Sequence, residues 1–385
     1  MLLAKGLARE CAQMASGVRV TVVTRTAADG INDCELPFRV VRQPRFLTLL
    51  KLLRDADVIH LAGPSFIPLM MGLALRKPVV VEHHGYQAVC PNGLLFYEPD
   101  KSICPGHFMA HRYHKCLGCN ARSDGWIRSA ARLLLTSPRR WACRHVAANI
   151  AVSKHVKHRI DLVDTRVIYH GIPDPLRESE RRAEGCAETP SRTPTFAYVG
   201  RLVSEKGLDL LVEAARRLEA DHRSFNIKFI GDGPERPSLQ AQVNSSGISG
   251  RVLFTGHLQG TALHRALDGV DVVVMPSIWE ETAGLSAMEH MMRGLPVIAT
   301  DVGGLGELVA DTGLKFPVGD VESLTSCMKR VLDQPTLAKE LGEKAMERAL
   351  RLFCEGRMVA EHITVYDEFF SIRTGSNILY SLRRN

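Results

Sequence analysis

The chain has 385 residues, 45% hydrophobic and 6% aromatic, with a formal net charge of +7. That is ample for folded cores and too long for one ordinary domain, so two domains are expected. The longest apolar run, LAGPSFIPLMMGLAL at 61–75, has 15 residues and two prolines, too short and too broken to span a bilayer. The N-terminal MLLAKGLARECAQMASG mixes charge into an amphipathic pattern instead of separating a charged start from an apolar middle, which excludes a secretory signal as its reading.

In chain order, the first element is a helix, LLAKGLAREC, followed by the strand VRVTVVTR. A doubly wound sheet normally sets a strand before that helix, commonly a central one, and its loss would leave backbone groups unpaired. The expectation is therefore a first domain that lacks its first strand, with residues missing upstream of Met1. DVIHLA, PVVVEHHG, NIAVS and RVIYHG continue as strands, and runs such as PVVVE have the unbroken apolarity that burial on both faces requires.

Between them lies an insertion at about 88–145, in which Cys90, Cys104, Cys116 and Cys119 end in a CxxC pair with His107, His111 and His114 nearby. Four thiolates in this pattern suit a structural zinc; disulfides and unliganded thiols remain open as alternatives. The other cysteines are isolated, as reduced intracellular thiols usually are. Residues 1–175 carry 24 Lys and Arg against 13 Asp and Glu, and 101–160 hold 12 basic residues, six histidines and one acid, Asp124. This concentrated positive field suits an anionic membrane surface or a lipid-diphosphate acceptor, with a solvated basic helix face as the plain alternative.

Residues 177–194, charged and then rich in Pro, Ser and Thr, read as a linker after an acceptor-side domain at 1–176. From 195 to 355 short β-rich runs alternate with helical periodicity: TFAYVG with LDLLVEAARRL, NIKFIG with PSLQAQV, VLFTG with TALHRALDGV, DVVVMPS with a helix from about Gly284, and PVIAT with GELVAD. Such βα alternation predicts a parallel sheet covered by helices, and so two doubly wound domains facing across a cleft. A helix at 356–372 is expected to pack back on the first domain, and 373–385 reads as a tail.

The chemistry concentrates at the carboxyl ends of the second-half strands. In GRLVSEKG, Arg201 and Lys206 bracket a strand-to-helix turn, a place suited to a diphosphate. ETAGLSAME sets Glu281 and Glu289 eight positions apart around Ala283 and Gly284, whose backbone can approach a ligand closely. Leu285, Met288 and Met292 space as a buried stripe, which turns Glu289 away from the core. Two acids bridged by amides suit a molecule with hydroxyls at both ends and phosphates between them. Asp55 and Asp57 have the spacing of a metal-binding Asp-X-Asp pair but precede a strand, at the wrong end for this cleft.

With GRLVSEKG before them and RGLPVIATDVGGLGE after, the two glutamates resemble the donor domain of the family 4 retaining glycosyltransferases of the GT-B fold, from Gly200 to about Asp320. The resemblance implies an α/β GT-B enzyme that uses a nucleoside-diphosphate sugar and needs no metal or other cofactor. Glu281 would contact the transferred sugar and Glu289 the ribose, while Arg201 and Lys206 hold the diphosphate and the backbone of Ala283, Gly284 and Leu285 helps bind sugar and phosphate. In the first half, PVVVEHHGY places His84 where the family has a histidine near the reacting sugar. His170 stands where the family usually has asparagine, and Ala283 where it often has phenylalanine. The implied function is sugar transfer to a polysaccharide or lipid-linked glycan in cell-envelope assembly, in the cytoplasm or on the cytoplasmic membrane face, with nucleic acid not expected as a partner. A GT-B-like nucleotide-sugar epimerase and an inactive, truncated relative that binds polyanions or membrane are the alternatives.

Overall fold

The structure, a computed structural model, describes residues 2–13, 18–27, 32–173, 193–369 and 377–382; the linker expected at 177–194 lies almost wholly outside them. The chain forms two compact units, one of Met1–Gly171 with Cys354–Asn385 and one of Ile172–Phe353. In chain order the strands are β1 Arg19–Thr24, β2 Arg39–Arg42, β3 Val58–Ala62, β4 Val79–His83, β5 Phe96–Tyr97, β6 Ser102–Ile103, β7 Ala148–Ala151 and β8 Thr165–Val167, then β9 Thr195–Val199, β10 Asn226–Ile230, β11 Val252–Gly256, β12 Val272–Met275, β13 Val297–Thr300, β14 Leu314–Phe316 and β15 Asn377–Leu382.

The second unit follows from its sequence pattern. Its sheet runs β11-β10-β9-β12-β13-β14, all parallel, so that β9 sits in the middle with successive strands leaving it on either side. The apolar runs of β12 and β13 are wholly buried because helices cover both faces of a sheet wound this way. The helix Leu208–Ala220 buries Leu208, Leu211, Val212, Ala215 and Leu218 against Phe196, Phe229 and Val274 of the sheet, which is the face its periodicity predicts. The order reverses between β9 and β12, and ligands bind open α/β sheets at the carboxyl ends of such a strand pair.

The first unit has a parallel sheet in the order β2-β1-β15-β3-β4-β7-β8. Here the sequence reading needs correcting. Residues 377–382, read as part of a tail, form a strand that pairs with β1 from Arg19↔Asn377 to Thr24↔Leu382 and with β3 from Ile378↔Val58 to Leu382↔Ala62. The central position expected to be empty is therefore filled from the other end of the chain, which satisfies the backbone groups of β1 and β3 that a gap would leave unpaired. Ile378 is fully buried among Val20, Val22, Val58 and Val80. The helix Glu355–Phe369 packs in the same unit, placing Met358, Val359, Val365 and Tyr366 in a core shared with Leu3, Ala4 and Leu7 of the helix Leu2–Gln13. Arg9 of that first helix pairs with Glu355.

Candidate active site

In the second unit, the loops after β9 and β12 meet above the reversal point. Gly207 ends the 3-10 turn Ser204–Lys206 in a left-handed conformation, φ 59°, and a Cβ there would lie 2.3 Å from the Pro276 carbonyl oxygen. Only glycine lets the two loops approach so closely. The Ile278 amide then donates to the Glu205 carbonyl at 3.0 Å, fixing one loop to the other.

This docking brings Lys206 to Glu281. The ammonium Nζ lies 2.8 Å from Oε1, with 15% of the lysine side chain and 7% of the glutamate's exposed. Ser277 Oγ donates to the same carboxylate oxygen, and Lys206 Nζ stands 5.6 Å from the centre of the Trp279 ring, so the cation has an acid on one side and an aromatic face near it. Behind Glu281, the Gly304 amide donates to its carbonyl oxygen at 2.6 Å, and a Cβ at Gly304 would fall 2.3 Å from the Thr282 carbonyl oxygen. The GGLG turn that opens the helix Gly303–Val309 is thus the mould for the Glu281 backbone.

The remaining expected donor residues are arranged differently. Arg201 is largely exposed, its nearest acid being Glu205 at 4.0 Å. Ala283 is buried and Gly284, φ 55°, precedes the short helix Leu285–Met291. Leu285 is exposed, contrary to the stripe read from sequence; the buried face is Ala287, Met288, His290, Met291 and Met292, because a left-handed start and only two turns set the face from the first residue. Glu289 does point outward, as expected, although the protein around its carboxyl group desolvates it and pushes its pKa above the ordinary range. Ser286 Oγ donates to the Val199 carbonyl at 3.1 Å, tying this helix to the end of β9.

His84 lies in the first unit, just past β4, with a third of its side chain exposed. Its Nε2 is 3.1 Å from Oε2 of Glu82, and its ring stacks on His170 at 4.9 Å between centres and 5° between planes.

Two family models divide the chain. The model "Glycosyltransferase Family 4" matches residues 3–174, and "Glycosyl transferases group 1" matches 181–348. The chain belongs to the family 4 glycosyltransferases. Sulfoquinovosyl transferase SQD2 of Arabidopsis thaliana is 35% identical to this family member over 321 residues, covering 81% of this chain and 57% of the relative. Alpha-D-kanosaminyltransferase of Streptomyces kanamyceticus is 26% identical over 283 residues, 73% of this chain and 68% of the relative. Across the first curated relatives, the matched part spans a third to about two thirds of their length. Among solved structures, sucrose-phosphate synthase from Thermosynechococcus elongatus superposes with a TM-score of 0.69 at 23% identity, over 96% of this chain and 92% of that one. Anabaena HepE in complex with UDP gives 0.62 at 16%, over 91% and 100%. These likenesses show the GT-B fold.

In this glycosyltransferase the four cysteines of the insertion are buried, with free thiols. Cys116 and Cys119 lie on the helix Tyr113–Asp124, and burial, reinforced by the neighbouring thiols, pushes them up to about 12 and about 11. Asn92 accepts from Cys90 at 2.9 Å and donates toward Cys119 at 3.8 Å.

Sequence reading missed Ser277, Trp279 and the GGLG mould, which touch Glu281 or Lys206 only through the fold. It also missed Glu82. Its one signal was an acid set in the apolar run VVVEHH, where a strand buried on both faces has no use for a charge unless something answers it.

Proposed function

We propose that this chain transfers a sugar, with retention and without a catalytic metal, from a nucleoside-diphosphate sugar to a glycan or lipid-linked acceptor. The observation that carries the reading is the Lys206–Glu281 pair at the reversal point of the second sheet. Departure of a nucleoside diphosphate builds negative charge on the leaving group. A lysine held in place by one serine-bonded carboxylate, Glu281, and an aromatic face is already oriented for that charge, and Arg201 is exposed and able to swing onto the outer phosphate. Glu281 accepts hydrogen bonds from hydroxyls of the transferred sugar, Glu289 from the ribose, and the backbone at Ala283, Gly284 and Leu285 lies beside the phosphates. His84 keeps the role near the reacting sugar that the family resemblance implies.

The same reading gives the four insertion cysteines a structural zinc, supported by their common burial, and metal analysis of untagged protein tests it. It also places the protein on the cytoplasmic face of an anionic membrane. The support is the helix Trp126–Cys143, which exposes Trp126, Ile127, Leu134 and Trp141 among Arg128, Arg132 and Arg144, while no helix of the described residues is long and apolar enough to cross a bilayer.

A thermal-shift panel of nucleotide sugars and free nucleoside diphosphates tests the reading, because a bound donor stabilises the fold by mass action. Stabilisation by one nucleoside-diphosphate family is expected. A flat response to all of them, with no sugar transfer to lipid or glycan acceptors, would overturn it.

A further inference from the structure

Glu82, next to last in β4, has 1% of its surface exposed and is ringed by histidines. Oε2 lies 3.2 Å from Nε2 of His60 and 3.1 Å from Nε2 of His84, while Oε1 faces Nε2 of His362 at 3.7 Å and Nδ1 of His170 at 4.0 Å. His60 and His362 are completely buried. Their outer nitrogens are both occupied: His60 Nδ1 meets the Tyr366 hydroxyl at 2.9 Å, and His362 Nδ1 meets the Met358 carbonyl oxygen at 2.7 Å.

The Met358 contact decides the protonation of His362. A carbonyl only accepts, so Nδ1 carries the proton. The other ring nitrogen, Nε2, is buried and has no hydrogen-bond partner. It faces Oε1 of Glu82 at 3.7 Å. A carboxylate and ring nitrogens gathered in a dry interior are a donor set that a shared cation can hold together. The Tyr366 hydroxyl can likewise accept from His60 Nδ1, which leaves His60 Nε2 beside the other oxygen of the same carboxylate, Oε2, at 3.2 Å. Outer hydrogen bonds that fix the tautomer and orientation of a ring are what metal-bound histidines have.

We propose that His60, Glu82 and His362 bind a divalent transition-metal ion, with zinc the ion best matched by two imidazoles and a carboxylate. The donor atoms of the three residues already lie within 4.8 Å of one another. The ligands come from β3, from β4 and from the helix Glu355–Phe369, so the ion ties that helix to the sheet of its own unit. Its role is structural, because the site is closed to solvent, and it does not rest on the sugar-transfer reading.

The test uses the full chain without a polyhistidine tag, grown with added zinc and freed of loose metal by dialysis. Metal content is measured by mass spectrometry for wild type, His362→Gln and Cys116→Ser/Cys119→Ser. His362→Gln should lose one ion per chain that the cysteine variant keeps. X-ray absorption at the zinc edge should show a nitrogen and oxygen shell without sulfur in the Cys116→Ser/Cys119→Ser variant, and the same nitrogen and oxygen component beside any sulfur in wild-type protein. Wild-type protein that holds no metal, or metal bound by sulfur alone, overturns the proposal, as does a folded His362→Gln variant with unchanged content.

Discussion

Lys206 and Glu281 stand 75 positions apart in sequence and 2.8 Å apart in space, joined because the loops after β9 and β12 interlock at Gly207. The pair gives one residue two duties. Lys206 neutralises a nearly buried acid and, in the proposed reaction, meets the charge that a leaving diphosphate gathers.

Lys206→Met should therefore fail twice. Loss of a cation aimed at the leaving group is expected to cost about 10²–10³ in turnover. The unpaired, buried Glu281 is expected to cost about 3–5 kcal/mol in stability. Adding Glu281→Gln should restore much of the melting temperature but none of the turnover; calorimetry and a transfer assay on both variants separate the effects.

Gly304→Ala leaves every polar group of the site in place and should still impair it. The new methyl meets the Thr282 carbonyl oxygen at 2.3 Å, so the loop carrying Glu281 has to move. A shift of about 1 Å at a reacting centre is expected to lower kcat/KM about 10²-fold. Steady-state kinetics with donor varied is the check, and kinetics equal to wild type would show that the GGLG turn does not set the Glu281 position.

His290 makes the second unit sensitive to acid. Burial lowers its pKa to about 3, whereas in the unfolded chain it titrates near 6.5. The unfolded state thus binds a proton that the folded state refuses as pH falls below 6.5. Stability is full above that value and declines below it, by about 1.4 kcal/mol per pH unit, until the folded pKa is reached. Urea unfolding followed by fluorescence of Trp279, with Trp126 and Trp141 replaced by phenylalanine, should show this slope between pH 7.5 and 5, and His290→Gln should flatten it.

Replacing Trp126, Ile127 and Trp141 with serine should release the protein from anionic vesicles while leaving donor binding intact. These side chains are 66%, 87% and 52% exposed, and the serines remove apolar surface while the arginines stay. Co-sedimentation with vesicles of mixed neutral and anionic lipid is expected to fall at least tenfold, and wild-type binding should weaken with salt. Salt-insensitive binding, or no effect of the triple change, would contradict membrane docking by this helix.

Leu379→Pro should unfold the first unit selectively. A proline at that position of β15 removes a ladder donor between β1 and β3, a central place where sheets do not tolerate it. Limited proteolysis should then cut within 19–167 while a fragment covering 195–353 survives.

The second unit was legible because its information is local. Runs such as VVVM and VIAT announce strands buried on both faces, and each is followed at once by the loop that carries its chemistry. The first unit was less so. NILYSL looks like any short strand-former after an amphipathic helix, and nothing near it states that its partners lie more than 300 positions earlier. Glu82 was obscure for the same reason, since the groups that answer its charge come from positions 60, 84, 170 and 362. Leu285 was misplaced because a two-turn helix gives periodicity too few residues to act on.

The place of β15 sets the order in which a ribosome can finish the molecule. The whole sheet of the second unit lies between residues 195 and 316 and is available to close early. Until residue 382 emerges, the first sheet exists only as two pieces, β2-β1 and β3-β4-β7-β8, each with an open parallel edge. Nascent chains therefore carry a finished second unit beside a first one with two unpaired edges, the state in which aggregation or chaperone capture competes with folding.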